Sequence, residues 1–186
     1  MRIVSGEWRG RRLRTPSGQA VRPTADRVRE AIFNILGGRI KGARVLDLFA
    51  GTGALALEAL SRGASSAVLV ESDPRTFAVM RRNVLDLGGS TAEPLLMDCR
   101  AALRVLRGRG SRFELVFLDP PYGKGIAERS AGELEGAGIL EPGGTVVVEE
   151  DAKAGESLFP AGWERVGDRR YGETRVMIFT VGKEPG

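Results

Sequence analysis

Several residue types common in hydrolytic and metal-dependent sites are missing or scarce in this chain. Its 186 residues contain no histidine and one cysteine. The absence of histidine excludes Ser-His-Asp triads, Cys-His pairs and histidine-ligated metals. A single cysteine excludes an internal disulfide and disfavours a thiolate zinc site, so we expect no metal. Any chemistry in this chain must use another base or need no strong base.

Long hydrophobic runs are also absent. No apolar stretch approaches the ~20 residues that cross a bilayer, and the first residues lack the apolar core of a signal peptide. We therefore expect a cytoplasmic protein without a membrane partner, most simply a monomer. A hydrophobic share of 42% is enough for a folded core, and the length suits one domain with a small appendage.

Positive charge is concentrated at the amino terminus. Residues 1–30 carry eight arginines and three acidic residues, a net charge of +5 against +4 for the whole chain. Such a segment favours a phosphate-bearing partner such as nucleic acid, although a solvated basic surface would have the same composition. We expect a basic β-hairpin extension at residues 1–22 and the main domain at residues 23–186. In the hairpin, Trp8 can stack on a base or pack against the domain.

The main domain alternates strands and helices. Apolar runs predict strands at 43–48, 66–70, 93–97, 113–118 and 144–149. Helices are predicted at about 25–36, with Thr24 as the N-cap, after the glycines at 51 and 53, and at 74–87, 100–106 and 126–137. Segments 163–171 and 174–181 predict a closing hairpin. The pattern is typical of an α/β fold with a doubly wound, Rossmann-like sheet, mostly parallel with an antiparallel C-terminal hairpin.

A glycine-rich turn follows the first predicted strand. Gly51 and Gly53 allow a tight turn and a close approach of the backbone to a ligand. With Glu71 at the end of the next strand, the pattern matches a dinucleotide fingerprint. Asp47 argues against this match because a carboxylate would repel a pyrophosphate. It favours a ligand with a cationic amino group, such as S-adenosylmethionine, while a plain strand-to-helix turn remains a third interpretation.

A second motif, Asp119-Pro120-Pro121-Tyr122, follows the fourth predicted strand. Two prolines remove two N–H donors and fix two φ angles, which leaves a rigid loop rich in acceptors. Such a loop can hold both hydrogens of an exocyclic amine while the nitrogen lone pair faces an electrophilic methyl group. Positioning of this kind supplies up to ~7–11 kcal/mol of barrier reduction. Tyr122 can stack on an extruded base, and both motifs should meet at the same edge of the sheet.

The two motifs together resemble the class I S-adenosylmethionine-dependent amino-methyltransferases. Segments 2–13, 22–36 and 171–174 add a more specific likeness, and nearly the whole chain is similar to the bacterial 16S ribosomal RNA guanine-N2-methyltransferase family D. One small departure is Ser5-Gly6, where the family often has Gly-Gly. The resemblance implies methyl transfer from S-adenosylmethionine to N2 of one guanine in 16S ribosomal RNA, on an assembled or assembling small ribosomal subunit.

The resemblance also implies roles for individual residues. The target guanine would be held by the catalytic loop of Asp119, Pro120, Pro121 and Tyr122. Cofactor contacts are expected from Asp47, Phe49, Gly51, Thr52, Gly53, Glu71, Ser72, Asp98 and Cys99. Within that group Glu71 would hold the ribose, and Asp98 with the backbone at Cys99 would bracket the adenine. Weaker RNA contacts are expected from Arg9, Arg11, Arg12, Arg22, Arg27 and Lys124.

Three other functions stay open at this point. A DNA adenine-N6 methyltransferase uses the same tetrapeptide, although a target-recognition domain is missing from these 186 residues. Asp47 and the proline loop disfavour a dinucleotide-dependent oxidoreductase, and a non-catalytic RNA-binding assembly protein is the third possibility. We also expect Cys99 to be a packing residue, not a nucleophile. Asp73 and Glu149 are expected to be solvated charges at strand ends.

Overall fold

A single seven-stranded sheet organises the chain. The computed structural model describes residues 1–16, 23–121, 123, 125–155 and 158–182, with the backbone alone at residues 23–25. The strands are β1 (Arg44–Asp47), β2 (Ser66–Glu71), β3 (Ala92–Leu96), β4 (Phe113–Leu118), β5 (Leu140–Asp151), β6 (Trp163–Tyr171) and β7 (Thr174–Val181). The helices are α1 (Pro23–Leu36), α2 (Ala54–Ser61), α3 (Pro74–Leu87), α4 (Cys99–Gly108) and α5 (Ile126–Ala137), with a short 3₁₀ turn at Gly37–Arg39.

The strand order is β3-β2-β1-β4-β5-β7-β6. Strands β1 to β5 pair in parallel, and β7 runs antiparallel between β5 and β6. The predicted Rossmann-like α/β fold with an antiparallel C-terminal hairpin is therefore confirmed. No helix in the described part of the chain is long and apolar enough to span a membrane.

Several element boundaries differ from the sequence expectation, among them those of β5, α1 and α4. Strand β5 begins at Leu140 instead of Gly144, because a register shift opposite Phe113 and Leu115 accommodates the intervening proline and glycines. Helix α1 begins at Pro23, so Thr24 lies in the first turn and is not the N-cap; its side chain is outside the described residues. Helix α4 begins at Cys99 because its cap is Asp98.

Two apolar layers cover the sheet. On one face α1, α2 and α3 pack over β1 and β4, where the rings of Phe33 and Phe117 lie 5.8 Å apart. On the other face α4 and α5 pack over the sheet, and Trp163 lies 5.7 Å from Phe179 at its β7 side. The carboxyl ends of β1, β2 and β4 lie side by side at one edge of the sheet, and doubly wound sheets bind ligands outside this edge.

The amino-terminal hairpin (residues 1–13) is fixed against α2. It holds one antiparallel bridge, between Arg2 and Arg12, in place of extended strands. The buried carboxylate of Glu58 accepts the backbone N–H groups of Val4 and Ser5 at 2.7 and 3.0 Å. Trp8 is half-buried and packs against the main core.

Candidate active site

A cleft of about 710 Å³ opens at the carboxyl edge of the parallel strands. Nine of the residues predicted to bind cofactor or substrate line it together: Phe49, Gly51, Glu71, Ser72, Asp98, Cys99, Asp119, Pro120 and Pro121. They come from the ends of β1, β2 and β4 and from the start of α4. Their convergence follows from the parallel sheet, because the carboxyl ends of neighbouring parallel strands meet at one edge.

The glycine turn forms one wall of this cleft. Gly51 and Gly53 both have positive φ, +54° and +83°, which glycine adopts without strain. A Cβ at Gly53 would come within 3.0 Å of the Leu69 side chain, whereas one at Gly51 would meet nothing within 4 Å. Gly53 therefore allows the turn to pack on the core, and Gly51 leaves the backbone bare on the side of the cleft.

Thr52 faces away from the cleft. Its hydroxyl donates to the sulfur of Met1 at 3.5 Å, and its carbonyl accepts the Asn83 amide at 2.9 Å. Neither Thr52 nor the buried Gly53 is among the residues that line the cleft. The structure thus places these two predicted cofactor residues behind the turn, where they hold its shape.

Asp47, at the end of β1, is a buried carboxylate without a partner. Its exposed fraction is 1%, and no described residue forms a hydrogen bond with Oδ1 or Oδ2. Burial raises the pKa of Asp47 to about 8, and the charge of Asp119 adds to the rise. The backbone N–H groups of Phe49 and Ala56 favour the charged form but do not reach hydrogen-bond geometry. Asp47 is not among the residues that line the cleft, although Leu48 and Phe49, directly after it, are. The carboxylate therefore lies just behind the cleft wall as an acceptor that lacks a donor.

Glu71, at the end of β2, accepts hydrogen bonds from two loops, the glycine turn and the turn before α3. One oxygen accepts the backbone N–H of Gly51 at 3.1 Å, and the other accepts the N–H of Asp73 at 2.7 Å. Each carboxylate oxygen has a second lone pair, so the group can still accept from a ligand in the cleft. Asp73 is exposed, as expected, and caps α3 by accepting the Thr76 N–H at 2.7 Å.

The start of α4 closes the far end of the cleft. Asp98 is exposed and its carboxylate caps the helix, accepting the Ala101 N–H at 2.8 Å. Burial raises the pKa of the Cys99 thiol to about 11, with a further rise from the charge of Glu133. A thiol held neutral in this way is not a nucleophile. The prediction that Cys99 is a packing residue is consistent with this environment.

The proline loop lies across the cleft from the glycine turn. Asp119 directly follows β4, and burial raises the pKa of its carboxyl group to about 6. Pro120 is buried and Pro121 is exposed, so the loop runs from the core to the surface. Tyr122 and Lys124 lie outside the described residues.

The expectation that Glu149 is a solvated charge was wrong. Strand β5 continues to Asp151, and Glu149 is half-buried opposite Val176 of β7. Burial raises its pKa well above the usual range; the charges of Asp119 and Asp47 add to the rise, while Arg29 opposes it. This environment could not be predicted from the sequence, because it depends on pairing with β7, a strand far along the chain.

Helix α5 supplies cleft residues that sequence reasoning missed. Ile126, Arg129, Ser130 and Glu133 line the cleft from one face of this helix. Their spacing of three, four and seven residues places them on one side of an α-helix. The predicted helix at 126–137 therefore already placed these four residues on one face. Only the sheet topology shows that this face meets the cleft.

The predicted RNA contacts do not all lie in one place. Arg9 and Arg27 line a groove of about 490 Å³ between the amino-terminal hairpin and α1, together with Arg2. Arg11 instead donates to the backbone carbonyl of Asp86 on α3. Arg12 is exposed beside its bridge to Arg2, and Arg22 is outside the described residues.

Solved structures with this architecture identify the class. The putative methyltransferase yhhF from Escherichia coli aligns with a TM-score of 0.88 and 36% identity, over 99% of each chain. The putative methylase HI0767 from Haemophilus influenzae aligns with a TM-score of 0.80 and 28% identity, over 98% of each chain. The fold and the cleft at its carboxyl edge are those of a Rossmann-like methyltransferase.

Sequence relatives narrow the class to a family. A family model described as "Conserved hypothetical protein 95" matches residues 1–180. The "Ribosomal RNA small subunit methyltransferase D" of Escherichia coli K12 is 36% identical over 179 residues, 96% of this chain and 89% of that protein. The "Putative rRNA methyltransferase YlbH" of Bacillus subtilis is also 36% identical, over 96% and 98% of the two chains. The chain belongs to the ribosomal RNA small subunit methyltransferase D family.

Proposed function

We propose that this protein transfers a methyl group from S-adenosylmethionine to the exocyclic N2 of a specific guanine in 16S ribosomal RNA. The acceptor is the assembled or assembling small ribosomal subunit. The observation that carries the proposal is the placement of the Asp119–Pro121 loop and the glycine turn across one cleft. Names of relatives as small subunit ribosomal RNA methyltransferases support the substrate class.

The described residues fit S-adenosylmethionine. Asp47 offers two buried acceptor oxygens without a protein donor, which suits the ammonium of the methionyl part. Bare backbone at Gly51 allows close approach, and Glu71 retains lone pairs for ribose hydroxyls. The cleft volume of about 710 Å³ is within the usual range for small-molecule sites. The bound cofactor would supply an electrophilic methyl group on sulfur.

The chain's own residues have a positioning role in this reaction. Asp119 and the Pro120 carbonyl are acceptors for the two hydrogens of the guanine N2 amine, an arrangement that orients its lone pair. Prolines at 120 and 121 fix the loop, so little reorganisation is needed when the base enters. The amine becomes more acidic as it gains the methyl group and can then release its proton, so the absence of histidine is no obstacle.

A groove rich in arginine supports an RNA acceptor. The exposed side chains of Arg2, Arg9 and Arg27 line it at the junction of the hairpin and α1, where Asp26 and Glu30 of α1 also line it. Clustered arginines bind phosphates without reading sequence. We infer that residues 1–22 act as an RNA-binding extension of the methyltransferase domain at residues 23–186.

The test is transfer of labelled methyl from S-adenosylmethionine to three acceptors, followed by nucleoside identification. The acceptors are small subunits lacking the modification, naked 16S RNA and duplex DNA. N2-methylguanosine from subunits is the expected product. N6-methyladenine from DNA would overturn the substrate, and no transfer to any acceptor would favour a non-catalytic assembly role.

A variant pair tests the mechanism. Asp119→Ala should abolish transfer while binding of S-adenosylhomocysteine, measured by calorimetry, is retained. Glu93→Ala is the matched control, because Glu93 is an exposed acid on β3 whose ion pair with Arg109 is 48% exposed on each side. Unchanged turnover in Asp119→Ala would refute the proposed role of the loop.

A further inference from the structure

A second cavity lies on the other side of the proline loop. Its volume is about 410 Å³, and it is lined by the loop, by the start of α5 and by the end of β5. Pro120 and Pro121 line both this cavity and the cofactor cleft. The proline loop therefore separates the two cavities. A base that is held by the acceptors of this loop would lie near the end of β5.

Glu149 lies at this wall, beside Asp119. Leu118, the last residue of β4, pairs with Val148 of β5, so Asp119, which directly follows β4, comes next to Glu149 of β5. Neighbouring strands are ~4.8 Å apart, and residues paired across them point to the same face. Asp119 and Glu149 are thus adjacent on one face of the sheet, consistent with the mutual influence of their charges.

Glu149 differs from the two acids that follow it. Glu150 forms an ion pair with Arg175, with Oε1 at 3.2 Å from the guanidinium. Asp151 accepts the backbone N–H of Lys153 at 2.9 Å. Among the described residues, none donates a hydrogen bond to the Glu149 carboxylate, and its partner across β7 is the apolar Val176. A half-buried carboxylate that no described residue engages can accept a hydrogen bond from a substrate beside it.

We infer that Glu149 is a specificity-determining residue, which accepts the N1–H of the target guanine while the proline loop holds N2. The inference rests on the proposed function. Guanine presents N1–H next to its N2 amine, whereas adenine presents a bare N1 acceptor beside N6. An ionised Glu149 accepts hydrogen bonds and donates none. An N1–H that donates to it favours this charged form and so opposes the burial that raises its pKa. The ionised group therefore pairs with guanine, whereas the bare N1 of adenine would oppose one acceptor to another. The same Asp-Pro-Pro-Tyr loop would otherwise suit either amine.

The experiment compares Glu149→Gln, Glu149→Asp and Glu141→Gln with the wild type. Glu141 is the matched control because it is a half-buried acid at the opposite end of β5, in an ion pair with Arg44. Transfer from S-adenosylmethionine to small subunits lacking the modification gives kcat and KM, and calorimetry gives the affinity for S-adenosylhomocysteine. Thermal unfolding confirms that each variant is folded.

Glu149→Gln should lower kcat by about 10- to 100-fold, the value of a hydrogen bond to a charged group. KM for subunits and the affinity for S-adenosylhomocysteine should stay within about threefold, because phosphate contacts dominate RNA affinity. Glu149→Asp keeps the carboxylate and should recover part of kcat. Glu141→Gln should match the wild type.

Two results would overturn the inference while leaving the proposed function intact. One is N2-methylguanosine formation by Glu149→Gln at the wild-type kcat. The other is a parallel loss of S-adenosylhomocysteine affinity, which would place Glu149 in the cofactor site. A wild-type protein that forms no N2-methylguanosine on any acceptor would instead refute the proposed function, and the inference with it.

Discussion

The buried carboxylate of Asp47 should make the protein less stable without its cofactor, and Asp47→Asn should relieve this cost. The pKa of the group is about 8 in the folded protein against an ordinary value of 3.8. The folded state therefore binds the proton more tightly than the unfolded chain. The associated stability is fully present below pH 4 and is lost as pH rises towards 8.

The structure sets the expected size of the effect. A pKa difference of about 4 corresponds to roughly 6 kcal/mol, of which about 3 kcal/mol develops between pH 5.5 and 8.5. The substituted amide has its own burial cost of about 1–3 kcal/mol, but this cost does not depend on pH. The variant's advantage should therefore be about 3 kcal/mol larger at pH 8.5 than at pH 5.5. For a domain of this size that is roughly 6–12 °C in Tm.

Thermal unfolding of the cofactor-free protein at the two pH values is the assay. Asp73→Asn is the control, because Asp73 is an exposed helix cap whose pKa is lowered by the Thr76 N–H. Its removal should bring no gain at pH 8.5. Asp47→Asn should also weaken S-adenosylhomocysteine binding at least tenfold in calorimetry. An advantage in Tm that is equal at both pH values would refute the assignment of Asp47 as a buried, unpaired carboxylate.

Three further expectations concern other residues. The transfer rate should rise with pH through about 6, because ionised Asp119 accepts through both oxygens and more strongly, whereas protonated Asp119 turns one oxygen into a donor; a kcat/KM profile that falls over this range would contradict it. Gly6→Ala should destabilise more than Gly10→Ala by at least ~2 kcal/mol, because a Cβ at Gly6 would be 1.7 Å from the Ser61 carbonyl while Gly10, with nearly the same φ, faces open space. Unfolding in urea measures both, and equal losses would contradict the close contact. Iodoacetamide should alkylate Cys99 roughly 200-fold more slowly at pH 8 than a free thiol, because the folded pKa of about 11 leaves little thiolate; alkylation at the free-thiol rate, followed by mass spectrometry, would contradict it.

The parts of the site that could be predicted are those that local chemistry fixes. Glycines at 51 and 53 and prolines at 120 and 121 restrict the backbone wherever they occur. Parallel strands then bring the segments that follow them to one edge. Both motifs and the order of strands and helices were accessible from the sequence for this reason.

The unpredicted parts depend on contacts between distant segments. Thr52 faces away from the cleft because Met1 and Asn83 engage it from behind. Glu149 is half-buried because β5 is longer than its apolar run and pairs with β7. A run of acidic residues after an apolar strand is usually exposed to solvent. Here the antiparallel pairing of β5 with β7 is what shows that Glu149 is half-buried.

The contact between the amino-terminal hairpin and α2 means that the hairpin cannot be removed without a cost to the rest of the chain. Glu58 has no solvent exposure and neutralises the guanidinium of Arg62 at 2.7 Å while it accepts two hairpin amides. A shortened protein that begins after residue 13 would lose those amides and open a charged site to water inside the catalytic domain. Exchange of hairpins between relatives, in evolution or by design, would therefore require matched changes at positions 58 and 61 of the acceptor domain.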